Sequence, residues 1–295
     1  MEVHQLRYFC AVAQHGTFTH AALTESVAQP SLSQQIQKLE AELGTRLFDR
    51  LPKRARLTPF GRAFLPKAKQ ILRDLGDAKT EILEMAGQEK GDLTVGVIPT
   101  IAPYLFPRLL ARFSREHGSI AIKVVEDITR VLVDSLGEGI IDLAVVALPV
   151  PGEKIRSVEL FREPMLAVLP VNHKHASRKT IRLEEIKDEP FLLLKEGHCF
   201  RDSTIAACRK SNMTPNVVFE SGQFATILAM VSGGMGVSAV PEMAARPFKG
   251  GRYVPIQSRG STRRIGAIML RQHFETRAQQ AFLRHLIRAC GVKPL

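Results

Sequence analysis

The chain has 295 residues, of which 45% are hydrophobic and 24% are charged, and its formal net charge is +12. This composition is that of a globular protein long enough for about two or three domains. No run approaches the roughly 18 apolar residues of a membrane-spanning helix. The start MEVHQLRYFC lacks the apolar segment of a signal peptide, which excludes an exported solute-binding protein. We therefore expect a cytoplasmic protein with reduced thiols and no membrane contact, and the positive charge favours a polyanionic partner.

The first sixty residues have the pattern of three helices. Residues 3–14 carry apolar side chains at helical spacing, and Thr17 caps a short second helix. Pro30 fits the first turn of a third helix, which has an apolar stripe and ends at Gly44. Two helices joined by a tight turn, the second polar outside, predict a helix-turn-helix. Hydroxyl, amide and cationic groups on its outer face are those that contact bases and phosphates: Gln29, Pro30, Ser31, Ser33, Gln34 and Lys38.

A basic segment, RLFDRLPKRARLT at 46–58, follows directly. It predicts two short strands with a turn around Pro52 and Lys53, forming a wing that contacts the DNA backbone or minor groove. From Arg46 to Lys69 only Asp49 opposes the positive charges. The alternatives are a solvated basic face and an ordinary three-helix bundle. The DNA contacts predicted here are Arg50, Lys53 and Arg54.

A heptad pattern follows the wing. The apolar residues are spaced 4, 3, 4, 3, 4, 3, which predicts a dimerising helix whose seam contains Phe64, Ala68, Ile71, Leu75, Ala78, Ile82 and Met85. We accordingly assign residues 1–58 to the DNA-binding domain, 59–87 to the dimerising helix and 88–92 to a hinge.

The remaining chain alternates apolar strands with amphipathic helices, which predicts a parallel sheet covered on both faces. We expect two α/β subdomains, one of residues 93–161 and 268–295 and the other of 162–267, with a ligand-binding cleft at the carboxyl ends of the strands. The fold class is therefore an α+β multidomain protein. SGGMGVSAVP at 232–241 is not a phosphate loop, because a helix precedes its glycines and a strand follows them.

Two of the four cysteines lie close together in GHCFRDSTIAAC, at 197–208. We expect Cys199 in a strand-to-helix loop, where His198, Arg201 and the helix N-terminus favour its thiolate. Cys208 should lie in the helix, about 10 Å or more away, which is too far for a disulfide unless residues 200–208 unwind. A structural disulfide and a metal site are weaker interpretations of the pair.

The other candidate chemistry is sparse. No spaced His/Cys set has the pattern of a zinc site, and Cys10 and Cys290 stand alone, so we expect no metal and no cofactor. No Ser/His/Asp arrangement can be argued from the sequence, and we expect no enzyme.

The segment FTHAALTESVAQPSLSQQIQKLEAELGTRLFDR at 18–50, followed by RLTPFGRAFL, resembles the winged helix-turn-helix of LysR-type transcriptional regulators. That family has Ser where this chain has Ala28, so a helix cap worth about 1 kcal/mol is lost, and Thr24 or Ser26 could replace it. The resemblance implies a winged helix-turn-helix, a long coiled-coil linker helix and two subdomains like those of periplasmic binding proteins, with crossovers near 161–165 and 262–267. The implied partners are a partly palindromic double-stranded DNA, further copies of the chain as a homodimer or homotetramer, and RNA polymerase.

Within this family, GHCFRD followed by Cys208 is similar to peroxide-sensing members, as are VIPTIAPYLFP at 97–107 and EPMLAVL at 163–169. That resemblance implies that Cys199 reacts with hydrogen peroxide, that Cys208 resolves it to a disulfide, and that the oxidised form activates antioxidant genes. It also implies that peroxide is oriented by Thr100, Thr129 and His198, with Arg263 or Arg264 as a pocket arginine. The alternatives are a regulator that binds a small metabolite in the cleft and a thiol peroxidase, against which the DNA-binding domain argues.

Overall fold

The computed structural model describes residues 1–51, 54–85, 91–245, 250–258, 260–271 and 274–291, with the backbone alone for 50–51 and 83–85. The chain divides into two compact units, Met1–Gln88 and Glu89–Leu295. Among the described helices, none is long and apolar enough to cross a membrane.

The first unit contains three helices, a two-stranded wing and a long helix. Its elements are α1 (Val3–His15), α2 (Phe18–Thr24), α3 (Gln29–Leu43), β1 (Phe48–Leu51), β2 (Arg54–Leu57) and α4 (Pro59–Met85). Apolar faces of α1, α2 and α3 form the core, with Phe9 fully buried between Phe48 and Phe64. The wing strands are antiparallel, with Phe48 opposite Leu57.

Buried polar contacts hold the wing against the helices. Glu40 Oε1 on α3 accepts from the backbone N–H groups of Leu47 (2.7 Å) and Phe48 (3.1 Å). Thr58 then caps α4, because its Oγ1 accepts from Gly61 N–H at 3.0 Å. Gly61 lies so close to the wing that an added Cβ would be 2.1 Å from the Leu47 carbonyl oxygen. The path of the wing is thus fixed by α3 on one side and α4 on the other.

The heptad seam on α4 is shorter than the sequence predicts. Ala68 is fully buried and Phe64 packs on the core of its own unit, so these two residues stabilise the domain instead of facing a partner helix. The next members, Ile71 (41%), Leu75 (51%) and Ile82 (64%), are exposed, as is Ala78. The side chain of Met85 lies outside the described residues.

The second unit contains the remaining elements. The strands are β3 (Gly91–Val97), β4 (Ile120–Glu126), β5 (Leu143–Leu148), β6 (Ile155–Leu169), β7 (Pro190–Leu194), β8 (Asn216–Ser221), β9 (Ser238–Pro241), β10 (Arg252–Pro255) and β11 (Thr262–Leu270). The helices are α5 (Ala102–Glu116), α6 (Thr129–Gly137), α7 (Cys199–Lys210), α8 (Phe224–Ser232), α9 (Glu242–Ala245) and α10 (Arg277–Ala289), with a 3-10 turn at Leu183–Ile186.

The main sheet is mixed, which corrects the expectation of a parallel one. It has seven strands in the order β10-β6-β11-β5-β3-β4, with β9 also paired to β6. β3 is parallel to β4 and β5, but β6 and β11 run antiparallel to their neighbours. Residues 165–169 of β6 and 265–270 of β11 are as apolar as the parallel strands, so the pattern of side chains there does not distinguish strand direction. β7 and β8 form a separate parallel pair.

Two hydrophobic cores lie along this sheet, and they correspond to two subdomains. One contains residues of β3, β5, α5 and α10, and the other contains residues of β7, α7, α8 and the second half of β6. The long strands β6 and β11 pass between them, and their cross-strand partners Glu163 and Arg263 lie at the passage.

Candidate functional site

Cys199 is the first residue of α7, not part of the loop before it as the sequence suggested. His198 is the N-cap residue, and the turn before it depends on Gly197, whose φ is +91°. An added Cβ at Gly197 would lie 3.1 Å from Ile128 Cδ1, so only glycine lets the turn approach the start of α6. This close approach brings Cys199 beside Thr129, and the cysteine is half-buried against the first subdomain's core.

The surroundings of Cys199 do not produce the low pKa that its sequence neighbours suggested. Burial raises the pKa of the thiol, while the Arg263 guanidinium and the Thr129 hydroxyl act in the opposite direction and Asp202 raises it further. Burial also lowers the pKa of His198, so that ring is neutral near pH 7. Arg201 is turned away, because its Nη1 donates to the Leu194 carbonyl at 2.8 Å and pairs with Glu220. The positive charge that acts on the thiol therefore comes from Arg263.

Arg263 belongs to a buried polar network. Its Nε lies 2.7 Å from Glu163 Oε2, and both residues are only 4% exposed. Its Nη1 donates to Thr100 Oγ1 (3.0 Å) and its Nη2 to the Thr100 carbonyl (3.2 Å). The guanidinium also lies over the ring of Phe200, 5.2 Å from its centroid. The network thus joins the first subdomain, the crossover strands and α7 at one point.

This network distinguishes the two arginines that the sequence left as candidates. Arg263 is the buried arginine, whereas Arg264 is exposed and lies 3.4 Å from Glu159. Glu163 and Phe200 were not predicted to have a role. A buried carboxylate needs a partner, but no local pattern says that Glu163 is buried.

Thr129 and Thr100 differ in their hydrogen bonds. Thr129 Oγ1 is buried and has no hydrogen bond of normal geometry within the described residues, yet it lies close enough to the Cys199 thiol to lower its pKa. Thr100 is 2% exposed and is fixed by Arg263. Thr129 therefore has hydrogen-bonding capacity to spare beside the thiol.

Cys208 is held in a different place. It is fully buried in the second subdomain's core, and burial raises its pKa to about 11. It follows Cys199 by nine residues in one helix, which corresponds to about 13.5 Å along the axis and half a turn around it. A disulfide needs Cα atoms about 4.4–6.8 Å apart. The two thiols therefore cannot bond while α7 is intact.

A cavity of about 770 Å³ adjoins Thr100 in the second unit. It lies between the start of α5 and the start of α8, with Tyr104 and Phe224 in its walls and mostly apolar side chains around them. Glu126 and Gln223 are its polar side chains besides Thr100 and Tyr104. A cavity of this size and composition can hold a small organic ligand.

Apart from Lys53, the DNA-binding residues proposed from the sequence lie on α3 and on the two strands of the wing. Ser33 is half-buried, and the others on α3 are exposed: Gln29, Pro30, Ser31, Gln34 and Lys38. Arg54 on β2 is exposed, the side chain of Arg50 lies outside the described residues, and so does Lys53 entirely. The Ala28 side chain makes no cap for α3, and the hydroxyl of Thr24, which was expected to replace it, donates to the His20 carbonyl.

Family models match both units. Residues 3–62 match the bacterial regulatory helix-turn-helix protein, lysR family, and residues 86–291 match the LysR substrate binding domain. The chain belongs to the LysR family of transcriptional regulators. DNA binding by the first unit follows from this membership.

Among relatives of this LysR-type regulator is the DNA-binding transcriptional dual regulator OxyR of Escherichia coli, which is 31% identical over 95% of this chain and 94% of its own. The probable hydrogen peroxide-inducible genes activator of Mycobacterium leprae is 34% identical over 81% of this chain and 78% of its own. The structure of full-length OxyR C199D from Pseudomonas aeruginosa is 30% identical, with a TM-score of 0.79 over 97% of this chain and 98% of that one.

Proposed function

We propose that this LysR-type regulator senses hydrogen peroxide through Cys199 and Cys208 and activates antioxidant genes when oxidised. The observation that carries the proposal is the placement of Cys199. Cys199 is half-buried at the first residue of α7, and although burial raises the pKa of its thiol, a buried guanidinium (Arg263) and a nearby hydroxyl (Thr129) act in the opposite direction. The name of the relative in Mycobacterium leprae, a probable hydrogen peroxide-inducible genes activator, supports the same class of signal.

The first chemical step takes place at Cys199. Its thiolate sulfur attacks one peroxide oxygen, the O–O bond breaks, and the other oxygen leaves with the proton that the thiol lost, giving sulfenic acid and water. Thr129 Oγ1, with no other normal hydrogen bond in the described residues, is placed to donate to or accept from the peroxide. Arg263 stabilises the thiolate, which offsets part of the effect of burial.

The second step requires α7 to unwind. Cys208 then attacks the sulfenic sulfur, the disulfide forms and a second water leaves. Because the closed helix keeps the two sulfur atoms on opposite faces, the disulfide can exist only in the refolded segment, which it holds in place. Reduction of the disulfide by a dithiol would release the segment to re-form the helix. Phe200 and Cys208 would leave the second core in this change.

The output of this change is altered DNA binding by an oligomer. The exposed seam of Ile71, Leu75, Ala78 and Ile82 supports a dimer through α4. Two copies would place two α3 helices on a partly palindromic site. A homotetramer and a contact with RNA polymerase complete the proposal, on the family resemblance alone.

Peroxide titration of the purified, reduced protein tests the proposal. We expect loss of two free thiols per chain, a product lighter by two hydrogen atoms, and a changed DNA footprint. Cys199→Ser should lose no free thiol on treatment with peroxide. Cys208→Ser should form a sulfenic acid that dimedone traps. Cys290→Ser is the matched control and should behave like the wild type. No thiol loss at low peroxide in the wild type would refute the proposal.

A second candidate function is favoured by the cavity beside Thr100. A regulator that responds to a small, largely apolar metabolite would bind it there, and Phe224→Arg would fill the cavity and abolish the response. In that case the Cys199→Ser variant would respond to the metabolite as well as the wild type does. In a peroxide sensor the same variant would lose its response to peroxide.

A further inference from the structure

We infer that His15 and His20 form a two-imidazole site for a divalent transition-metal ion at the corner between α1 and α2. His15 is in the last turn of α1 and His20 is on α2, and their Nδ1 atoms are 3.0 Å apart. The ring centroids are 4.6 Å apart, whereas a straight N–H···N hydrogen bond would separate them by more than about 5 Å. Both nitrogens are therefore turned towards one point beside the rings.

The tautomer of His15 leaves its Nδ1 lone pair available. Thr24 Oγ1 donates its only proton to the His20 carbonyl at 3.1 Å. With its proton on that carbonyl, the hydroxyl accepts at its 3.1 Å contact with His15 Nε2, and the proton of a neutral His15 then lies on Nε2. His15 Nδ1 is then an acceptor that faces His20 Nδ1. The space between the two nitrogens holds either one proton, donated by His20, or one cation.

The separation of the nitrogens fits a metal ion. With each nitrogen about 2.0–2.1 Å from the ion, a distance of 3.0 Å corresponds to a nitrogen–metal–nitrogen angle of about 91–97°. This is the angle between neighbouring ligands in octahedral and tetragonal complexes, which Ni²⁺ and Cu²⁺ prefer. No third His, Cys, Asp or Glu completes a cluster within the described part of the chain, so water would fill the other positions.

Thr24 supports the site in the same way as the hydrogen-bond partners of other metal-binding histidines. A ligating imidazole usually donates its second N–H to an oxygen, which fixes the ring and its tautomer. His15 does this to Thr24, and the hydroxyl is itself anchored on the backbone of His20. Binding the ion moves the proton of a neutral His20 from Nδ1 to Nε2 through solvent, so both rings stay neutral and the ion adds two positive charges.

The site lies in the unit that binds DNA, so those charges have a consequence. The Gly16 carbonyl, next to His15, accepts from Ala55 N–H of the wing at 2.7 Å. An ion that holds His15 and His20 together would hold the corner on which this wing contact depends. It would also raise the positive charge beside α2, the first helix of the helix-turn-helix, which crosses the DNA backbone. We therefore expect metal binding to strengthen DNA binding.

Titration of the full-length, reduced protein with Ni²⁺ by calorimetry tests the site, because Ni²⁺ does not oxidise thiols. We expect one binding event that is lost in both His15→Gln and His20→Gln and kept in His4→Gln, an α1 variant of matched chemistry. Thr24→Val should weaken that event about tenfold, as loss of a group behind a ligand does.

Operator binding measured without metal shows that the variants fold. It should be equal in the wild type and in all four variants. Persistence of every Ni²⁺ event in His15→Gln and His20→Gln would overturn the inference, as would the absence of any event in the wild type. In both cases the pair would share a proton only.

Discussion

Arg263 and Glu163 are direct cross-strand neighbours on β11 and β6, and their side chains form a buried ion pair 2.7 Å long at the passage between the two subdomains. Glu163 also accepts from the Met243 backbone N–H at 2.7 Å. Three separate segments therefore depend on one carboxylate. The same arginine touches Phe200 and acts on the Cys199 thiol, so the pair couples the structure of the sheet to the reactivity of the site.

Glu163→Gln tests the structural side of this pair. The change leaves a guanidinium buried without its counter-ion, and we expect the second unit to lose about 3–5 kcal/mol of unfolding free energy. Urea denaturation of the full chain, followed by hydrogen exchange of β6 amides, measures it. Glu159→Gln on the same strand is the control: its partners Arg162 and Arg264 are exposed, so little should change. Equal effects of the two variants would contradict the assignment.

Thr129→Val tests the electrostatic environment of the thiol. Since the hydroxyl lowers the pKa of Cys199, its removal should raise that pKa. The reactive thiolate then appears at higher pH, so the midpoint of a pH–alkylation profile should move upward and the rate at neutral pH should fall. Thr180→Val, at an exposed threonine, should leave the profile unchanged. A shift to lower pH in Thr129→Val would refute the role.

Ser203→Ala tests whether α7 must unwind for the disulfide to form. Ser203 Oγ donates to the Cys199 carbonyl at 2.9 Å, a local contact that slightly disfavours a helix. Alanine should stabilise the helix by about 0.5 kcal/mol. Formation of the disulfide from the sulfenic acid should therefore slow about twofold, while formation of the sulfenic acid stays unchanged. Rapid-quench mass spectrometry separates the two steps, and an accelerated second step would contradict the model of unwinding.

Gly61→Ala tests how the wing is fixed. The added Cβ would be 2.1 Å from the Leu47 carbonyl oxygen, so the wing or α4 must move and we expect at least tenfold weaker operator binding. Gly76→Ala on the same helix meets no atom within 4 Å. It should stabilise α4 by up to about 1 kcal/mol, because alanine is the better helix former. Fluorescence anisotropy with labelled operator compares the two, and equal affinities would show that the wing does not depend on Gly61.

Ala28→Ser restores the missing cap of α3. Ala28 has the extended backbone conformation of an N-cap residue (φ −68°, ψ 135°), so a serine hydroxyl there could accept from the first turn. We expect α3 to gain about 1 kcal/mol. Slower hydrogen exchange at residues 31–33 would report it. Ala41→Ser, exposed within the same helix, should have no such effect, and equal protection in both variants would contradict the prediction.

The sequence was sufficient for features that local pattern determines. Helix α3 is an example, since Pro30 and Gly44 mark its ends and Leu32, Ile36 and Leu39 form its buried stripe. The mixed sheet was not predictable, because β6 and β11 have apolar patterns that fit either strand direction. The sequence favoured the thiolate of Cys199, because His198 and Arg201 lie close to it in the chain. The fold leaves the first uncharged and turns the second away.

The local sequence around Cys199 does not predict the environment of the thiol, because that environment is assembled from distant segments, and Thr129 and Arg263 were indicated only by the family resemblance. Thr129 comes from α6, Arg263 from β11, and Glu163 from β6. Sequence proximity placed charges near Cys199 that the fold directs elsewhere: Arg201 is drawn to Glu220. Desolvation of the cysteine, the largest influence on its pKa, depends on packing that no short motif specifies.

The uninterrupted run of β6 from Ile155 to Leu169 has one more consequence. A strand hydrogen-bonded to β11 in its first part and to β9 and β10 in its last part connects the two subdomains without a break. Hinge closure of the kind that lets a binding protein enclose its ligand would require this strand to bend and hydrogen bonds along it to break. Refolding of a single helix would leave these hydrogen bonds intact, whereas a movement of one subdomain against the other would not.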